Sequence, residues 1–206
     1  MPTPERTSHA AIIEAGREIL DSDGPAGLTM QAVAARVGVR APSLYKRIRN
    51  RDALLAAVAE ATVDDLARRL TAAARLHSAA EMPGNSVDLG RGMQSQGAQW
   101  AQGARGELVG LAAAFRAFAH EHPEGFRLMF TASAPLDALE RAAAPVLHAA
   151  RALVGDDDAL DAARLFTAWA TGFLQMELAG AFRLGGDVDE AFDYGLDRLI
   201  HGLTAE

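Results

Sequence analysis

At 206 residues, half of them hydrophobic and 23% charged, the chain is long enough to bury a sizeable core in one or two compact domains. It has no cysteine, which excludes a disulfide framework, a thiolate zinc site and a cysteine nucleophile. The net charge of −7 argues against a nucleic-acid partner for the chain as a whole, yet residues 1–51 carry eight Lys/Arg against five Asp/Glu and the remainder twelve against twenty-two.

Nearly every segment has helical periodicity and none alternates like a strand, so an all-α fold is predicted. The first helix runs from about Thr7 to Ser22, burying Ile12, Ile13, Gly16, Ile19 and Leu20, and stops at Gly24-Pro25. Thr29 is a good N-cap for the second, whose Val33 and Val37 share a face before Gly38 ends it. A short third helix spans Ala41 to Arg49 with Leu44 and Ile48 inward. Asn50 caps a long fourth helix from Arg51 to about Leu76. Residues 79–106 are rich in Gly, Ser and Gln and read as a loop or flexible insert. Helices are then expected over Glu107 to His120, Pro123 to Phe130, Leu136 to Val154 (kinked at Pro145), Asp158 to Leu184 and Val188 to Leu203. No apolar run approaches the ~20 residues of a membrane span and Met1 to Ser8 lacks a signal-peptide core, so a cytoplasmic protein with no membrane partner is expected.

Between Gly24 and Arg51 stand Arg36, Arg40, Lys46, Arg47, Arg49 and Arg51 without one acid. Two short helices joined by a Gly turn, the second bristling with donors, form a helix-turn-helix pattern. Thr29 and the amides beside it suit a backbone phosphate. The second helix is short enough to enter a major groove about 12 Å wide. There Arg40, Ser43, Lys46 and Arg47 can donate to base edges or phosphates, and Tyr45 can offer its hydroxyl to a phosphate. Ala41 and Pro42 can pack against thymine methyls, and Arg51 can reach the backbone from the start of the fourth helix. The plainer reading is a three-helix bundle with a solvated basic edge; the register of these residues and the charge contrast with the rest of the chain weigh against it.

The run from Leu28-Thr29-Met30 through Gly38-Val39-Arg40-Ala41-Pro42-Ser43-Leu44-Tyr45-Lys46-Arg47-Ile48 resembles the DNA-binding domain of the TetR family of bacterial transcription regulators. With the first helix and the Asp52-Ala53-Leu54-Leu55 start of the fourth, the resemblance covers roughly residues 7–60. Arg40 stands where the family often has a small polar N-cap, and Ile48 where it often has Phe. More weakly, Phe118 to Phe130 and Trp169-Ala170-Thr171-Gly172 resemble the ligand-binding domain of a subgroup with a Trp-His-Gly signature, Thr171 standing for the His. The resemblance implies a DNA-binding domain over residues 1–52 and a helical effector-binding and dimerisation domain over 53–206. It also implies a homodimeric repressor on palindromic double-stranded operator DNA, in which ligand changes the position of the fourth helix and so alters the spacing of the two recognition helices.

Phe115, Phe118, Phe126, Met129, Phe130, Trp169, Phe173 and Met176 are candidate lining for a small apolar or aromatic effector, with a filled core as the competing reading of each. Leu174, Leu178 and Phe182, at i, i+4 and i+8, form a second apolar stripe on their helix, and Phe192, Leu196 and Leu199 follow a similar spacing on the last. Both are candidate dimer-interface residues, against a monomer whose last helix covers the stripe. His120-Glu121-His122 lacks metal-ligand spacing, and the acidic groups at Asp156 to Asp158 and Asp187 to Glu190 suit helix starts, so no metal or cofactor is predicted. No phosphate loop, dinucleotide fingerprint or nucleophile elbow occurs, so the expected protein is not an enzyme. The rival readings are a DNA-binding regulator without an effector, and a helical small-molecule-binding protein or enzyme.

Overall fold

The computed structural model describes residues 8–80, 93–131 and 134–204. It is 84% helical, with nine helices and no strand among the described residues. These are α1 (His9–Gly27), α2 (Met30–Val37), α3 (Ala41–Leu44), α4 (Arg51–Ala80), α5 (Met93–Glu121), α6 (Pro123–Thr131), α7 (Leu136–Val154), α8 (Ala159–Leu178) and α9 (Val188–Thr204). None among the described residues is long and apolar enough to cross a membrane. The chain divides into two compact units, one of residues 1–66 and 118–140, the other of 67–117 and 141–206.

In the first unit, α1, α2 and α4 each begin where a side chain replaces a missing intrahelical acceptor. Ser8 Oγ accepts from the Ala11 amide at 3.1 Å, Thr29 Oγ1 from Ala32 at 3.1 Å and Asn50 Oδ1 from Ala53 at 2.8 Å. Helical geometry in α1 fails at Gly24, where φ is 69°, one residue before Pro25. At the end of α2, Gly38 is left-handed (φ 75°, ψ 35°), which lets its amide return to the Ala35 carbonyl at 3.2 Å and that of Val39 to Ala34 at 2.9 Å. This double closure turns the chain into α3 within three residues. The helical turn continues past Leu44, whose carbonyl accepts from both Arg47 and Ile48 at 2.8 Å. Ile12, Ile19, Leu20, Leu28, Val33, Leu44, Ile48, Leu54 and Val58 bury together, with Leu128 of α6 joining them. At about 1.5–3 kcal/mol for each large apolar side chain removed from water, this core outweighs the weak intrinsic stability of an eight-residue and a four-residue helix. Arg17 pairs with Asp65 at 3.0 Å, and His122 Nδ1 is in hydrogen-bond contact with Asp21 Oδ2 at 3.0 Å, so these side-chain contacts tie α1 to α4 and to the corner before α6.

In the second unit, α5 departs from the sequence expectation. Helix occupies 93–106, inside the stretch read as a loop, α4 extends to Ala80, and residues 81–92 lie outside those described. Ala104, Leu108, Leu111, Ala112 and Phe115 are buried at helical spacing, so a single apolar face carries the helix through its glycines. A second difference is the end of α8. It stops at Leu178, because Gly180 is left-handed (φ 61°) and the amides of Gly180 and Ala181 close on the carbonyls of Glu177 and Met176 at 2.9 Å each. Phe182 therefore lies beyond the helix instead of continuing its stripe, and stacks on Phe173 with ring centroids 4.8 Å apart. Asp187 starts α9 by accepting from Asp189 at 2.7 Å and Glu190 at 3.2 Å. α7 continues as one helix from Leu136 to Val154 with Pro145 inside it.

Candidate nucleic-acid interface

The buried Leu44 and Ile48 anchor the inner side of the α3 turn, and the polar side chains between and before them face out. Arg40, Pro42, Ser43, Tyr45, Lys46 and Arg47 are exposed, and Ala41 is half-buried. Tyr45 exposes about half its surface (54%), which is large for an aromatic residue next to the fully buried Leu44. The structure thus brings seven of the nine candidate DNA-contacting residues onto one short segment. Thr29 sits apart at the start of α2, where its oxygen already caps the helix while its hydroxyl hydrogen stays available to an acceptor outside the chain.

The basic residues differ in what they already hold. Arg36 pairs with Glu18 of α1 at 2.7 Å. Arg51 donates through Nε to the Leu28 carbonyl at 2.9 Å and through Nη2 to the Pro25 carbonyl at 2.6 Å, so it fastens the start of α4 to the segment between α1 and α2. Reading Arg51 from sequence alone missed this, because the partners are main-chain oxygens more than twenty positions away. Arg40 is the N-cap residue of α3 and its side chain makes no capping bond. Pro at the start of that helix has no amide to satisfy, so a non-capping residue is tolerated there.

The candidate effector residues fall in both units. In the first, Phe118 and Phe126 are fully buried and Met129 nearly so, whereas Phe130 is half exposed and meets Phe126 edge-on at 5.2 Å. In the second, Phe115 is buried, Trp169 and Phe173 are half-buried, and Met176 is exposed. Trp169, Phe173 and Phe192 form a stack with centroid separations of 5.2 to 5.9 Å. Over the Phe192 ring lies the Arg116 guanidinium, 4.8 Å from its centroid, bonded to Glu177 and, at 2.5 Å, to Asp189. The hydrogen bond to Glu177 holds the Arg116 pKa above its ordinary value against the opposing effect of burial, with Asp189 adding to the rise.

Of the candidate interface residues, Leu174, Phe192 and Leu196 are already sealed within one chain, at 0–3% exposure, and Leu178 and Leu199 are half-buried. Of that set only Phe182 is left exposed, and the other apolar groups in water lie elsewhere. On α8 they are Leu165, Ala168, Gly172, Met176 and, just past its end, Ala179, spaced 3, 4, 4 and 3 along one face. Phe182 and, on α9, Tyr194 are exposed as well.

Residues 12–58 match the family model described as bacterial regulatory proteins, tetR family, and residues 108–199 that described as the tetracyclin repressor-like C-terminal domain. The chain is similar to an uncharacterised HTH-type transcriptional regulator of Mycobacterium tuberculosis, at 28% identity over 97% of this chain and 83% of that one. Among solved structures it is similar to a protein of unknown function from Rhodococcus sp. RHA1, with a TM-score of 0.71 and 23% identity over 99% of this chain and all of that one. It is also similar to a TetR variant from Acinetobacter baumannii AYE solved in complex with minocycline, with a TM-score of 0.64 and 24% identity over 97% of this chain and 99% of that one.

Proposed function

Since the chain belongs to the TetR family of transcriptional regulators, with the family's helix-turn-helix and C-terminal domains, we propose that it is a repressor that binds a palindromic operator as a homodimer and is released by a small molecule. The observation that carries the DNA-binding part is the outward, acid-free surface of Arg40 to Arg47 on a helix whose inner side is pinned by Leu44 and Ile48. A dimer presents two such helices to half-sites one turn apart, about 34 Å, so a modest shift of α4 on effector binding changes their fit. Coupling of about 1–3 kcal/mol, on the scale usual for allostery, corresponds to about 5–150-fold in operator affinity. The shared fold with a structure that holds minocycline supports a C-terminal small-molecule site. Within the family, Trp169-Ala170-Thr171-Gly172 supports a place near the Trp-His-Gly subgroup, with Thr171 in the histidine's position.

The test is an anisotropy titration of the purified protein on its own upstream DNA against scrambled duplex at several salt concentrations. If the dimer neutralises roughly six to eight phosphates, log K falls with log[salt] at a slope of about −0.9 per phosphate. Binding that is flat in salt sinks the DNA reading. The close stacking of Trp169, Phe173 and Phe192 favours, as a second reading, a regulator whose domain is filled and takes no effector. A library of apolar and aromatic compounds that never raises the melting temperature and never releases the operator would select it.

A further inference from the structure

Among the cations of the basic run, Arg36 and Arg51 are engaged within the protein, by Glu18 and by the Pro25 and Leu28 carbonyls. Arg40 has no hydrogen-bond or ion-pair partner for its guanidinium among the described residues, and it is exposed. Its main chain, by contrast, is fixed: the backbone is extended (φ −81°, ψ 142°) and its carbonyl accepts from the Ser43 amide at 2.8 Å, so its Cα is held rigidly at the entry of the recognition helix. In helix-turn-helix proteins the N-terminal residues of that helix are the ones that meet base edges, while residues further along lie against the backbone. The neighbours Ala41 and Pro42 offer no side-chain donor or acceptor to compete for the same base. A free, planar fork of donors at that place matches the paired O6 and N7 acceptors that guanine alone presents in the major groove.

We propose that Arg40 is the specificity-determining residue of the recognition helix, reading one guanine at a fixed position in each operator half-site. The inference rests on the operator-binding reading above, and it goes beyond it by separating base readout from phosphate contact. Arg40 is not needed for folding: its exposed side chain makes no capping bond, and serine readily adopts the extended backbone of an N-cap, so Arg40→Ser leaves the melting temperature near that of wild type.

The experiment selects binding sites from random duplex DNA with the full-length wild type and with Arg40→Ser, then measures both on the wild-type operator with each G·C pair replaced in turn. The expected result is a wild-type motif with one invariant G per half-site, at which replacement costs about 5- to 150-fold. The Arg40→Ser motif loses that preference alone and becomes indifferent to the same replacement. If Arg40→Ser instead keeps the motif and binds every sequence equally more weakly, with the salt slope smaller by about 0.9 per protomer, Arg40 is a phosphate contact and the assignment is overturned. An unchanged motif with unchanged affinity overturns it too. A wild type that selects no motif at all refutes the operator reading itself, which is a different failure and visible before any variant is made.

Discussion

Arg40 and Arg51 belong to the same basic run, yet only the fold separates a free guanidinium from one whose donors are held by the Leu28 and Pro25 carbonyls. Thr171 presents the opposite situation, a polar atom where none is needed. Its Oγ1 is buried with no hydrogen-bond partner among the described residues. A hydroxyl kept from water without a partner costs about 1–3 kcal/mol, whereas a methyl in the same place costs nothing in desolvation. Thr171→Val preserves the branched shape, so it is expected to stabilise the protein by about 1 kcal/mol in urea denaturation. Thr171→Ser keeps the orphan hydroxyl and loses a methyl, and is expected to destabilise it. A valine variant that melts earlier than wild type would mean that the hydroxyl is satisfied by solvent. Residue-level roles of this kind were the least legible part of the sequence. The motif located Arg40, Ser43 and Lys46 on the outside of α3, because outward placement follows from Leu44 and Ile48 being four apart. It could not tell a free arginine from an engaged one, because Arg51's acceptors are set by tertiary folding.

The same double backbone closure ends α2 at Gly38 and α8 at Gly180, and both times it decides where the following aromatic or basic residues go. At Gly38 the consequence is the angle of the recognition helix. A Cβ there would meet nothing within 4 Å, so the only cost of Gly38→Ala is the left-handed backbone, roughly 1–2 kcal/mol. Gly38→Asn is expected to lose less, since Asn visits that conformation more readily. Guanidinium denaturation of the three proteins gives the ranking Gly above Asn above Ala; an alanine variant as stable as wild type would show that the turn relaxes out of the left-handed region. This turn was legible in the sequence because Thr29, Val33, Val37 and Gly38 all signal the same eight-residue helix. The end of α8 was not, because Leu174, Leu178 and Phe182 keep helical periodicity across Gly180 and the periodic signal outweighed one glycine. In α5 the error ran the other way. Glycine and glutamine lowered the local propensity over 93–106, but the buried face from Ala104 to Phe115 sustains the helix, a tertiary effect that composition does not carry.

The proposed dimer belongs to the scale of the whole molecule, and it turns on which apolar groups one chain leaves uncovered. Leu174, Phe192 and Leu196 are buried within the chain, so removing them damages the fold before it touches any partner. The face of Leu165, Ala168, Gly172 and Met176 remains in water, and its small members allow a second helix to approach closely. A Cβ at Gly172 meets nothing within 4 Å inside the chain, so a longer side chain is accommodated by the single protomer and even favours the helix by up to about 1 kcal/mol. On a proposed interface it does the reverse: a glutamate at each of two facing Gly172 positions buries like charges against a close-packed surface. Gly172→Glu is therefore expected to give a folded monomer by light scattering, with helicity and melting temperature near those of wild type. Leu174→Ala is expected to lose about 2–5 kcal/mol of stability instead. The monomer should bind a full operator no better than a single half-site, because the second recognition helix is no longer delivered at the high effective concentration the dimer provides. A Gly172→Glu protein that stays dimeric at wild-type affinity would place the interface on another surface, and the exposed Tyr194 on α9 would be the next position to charge.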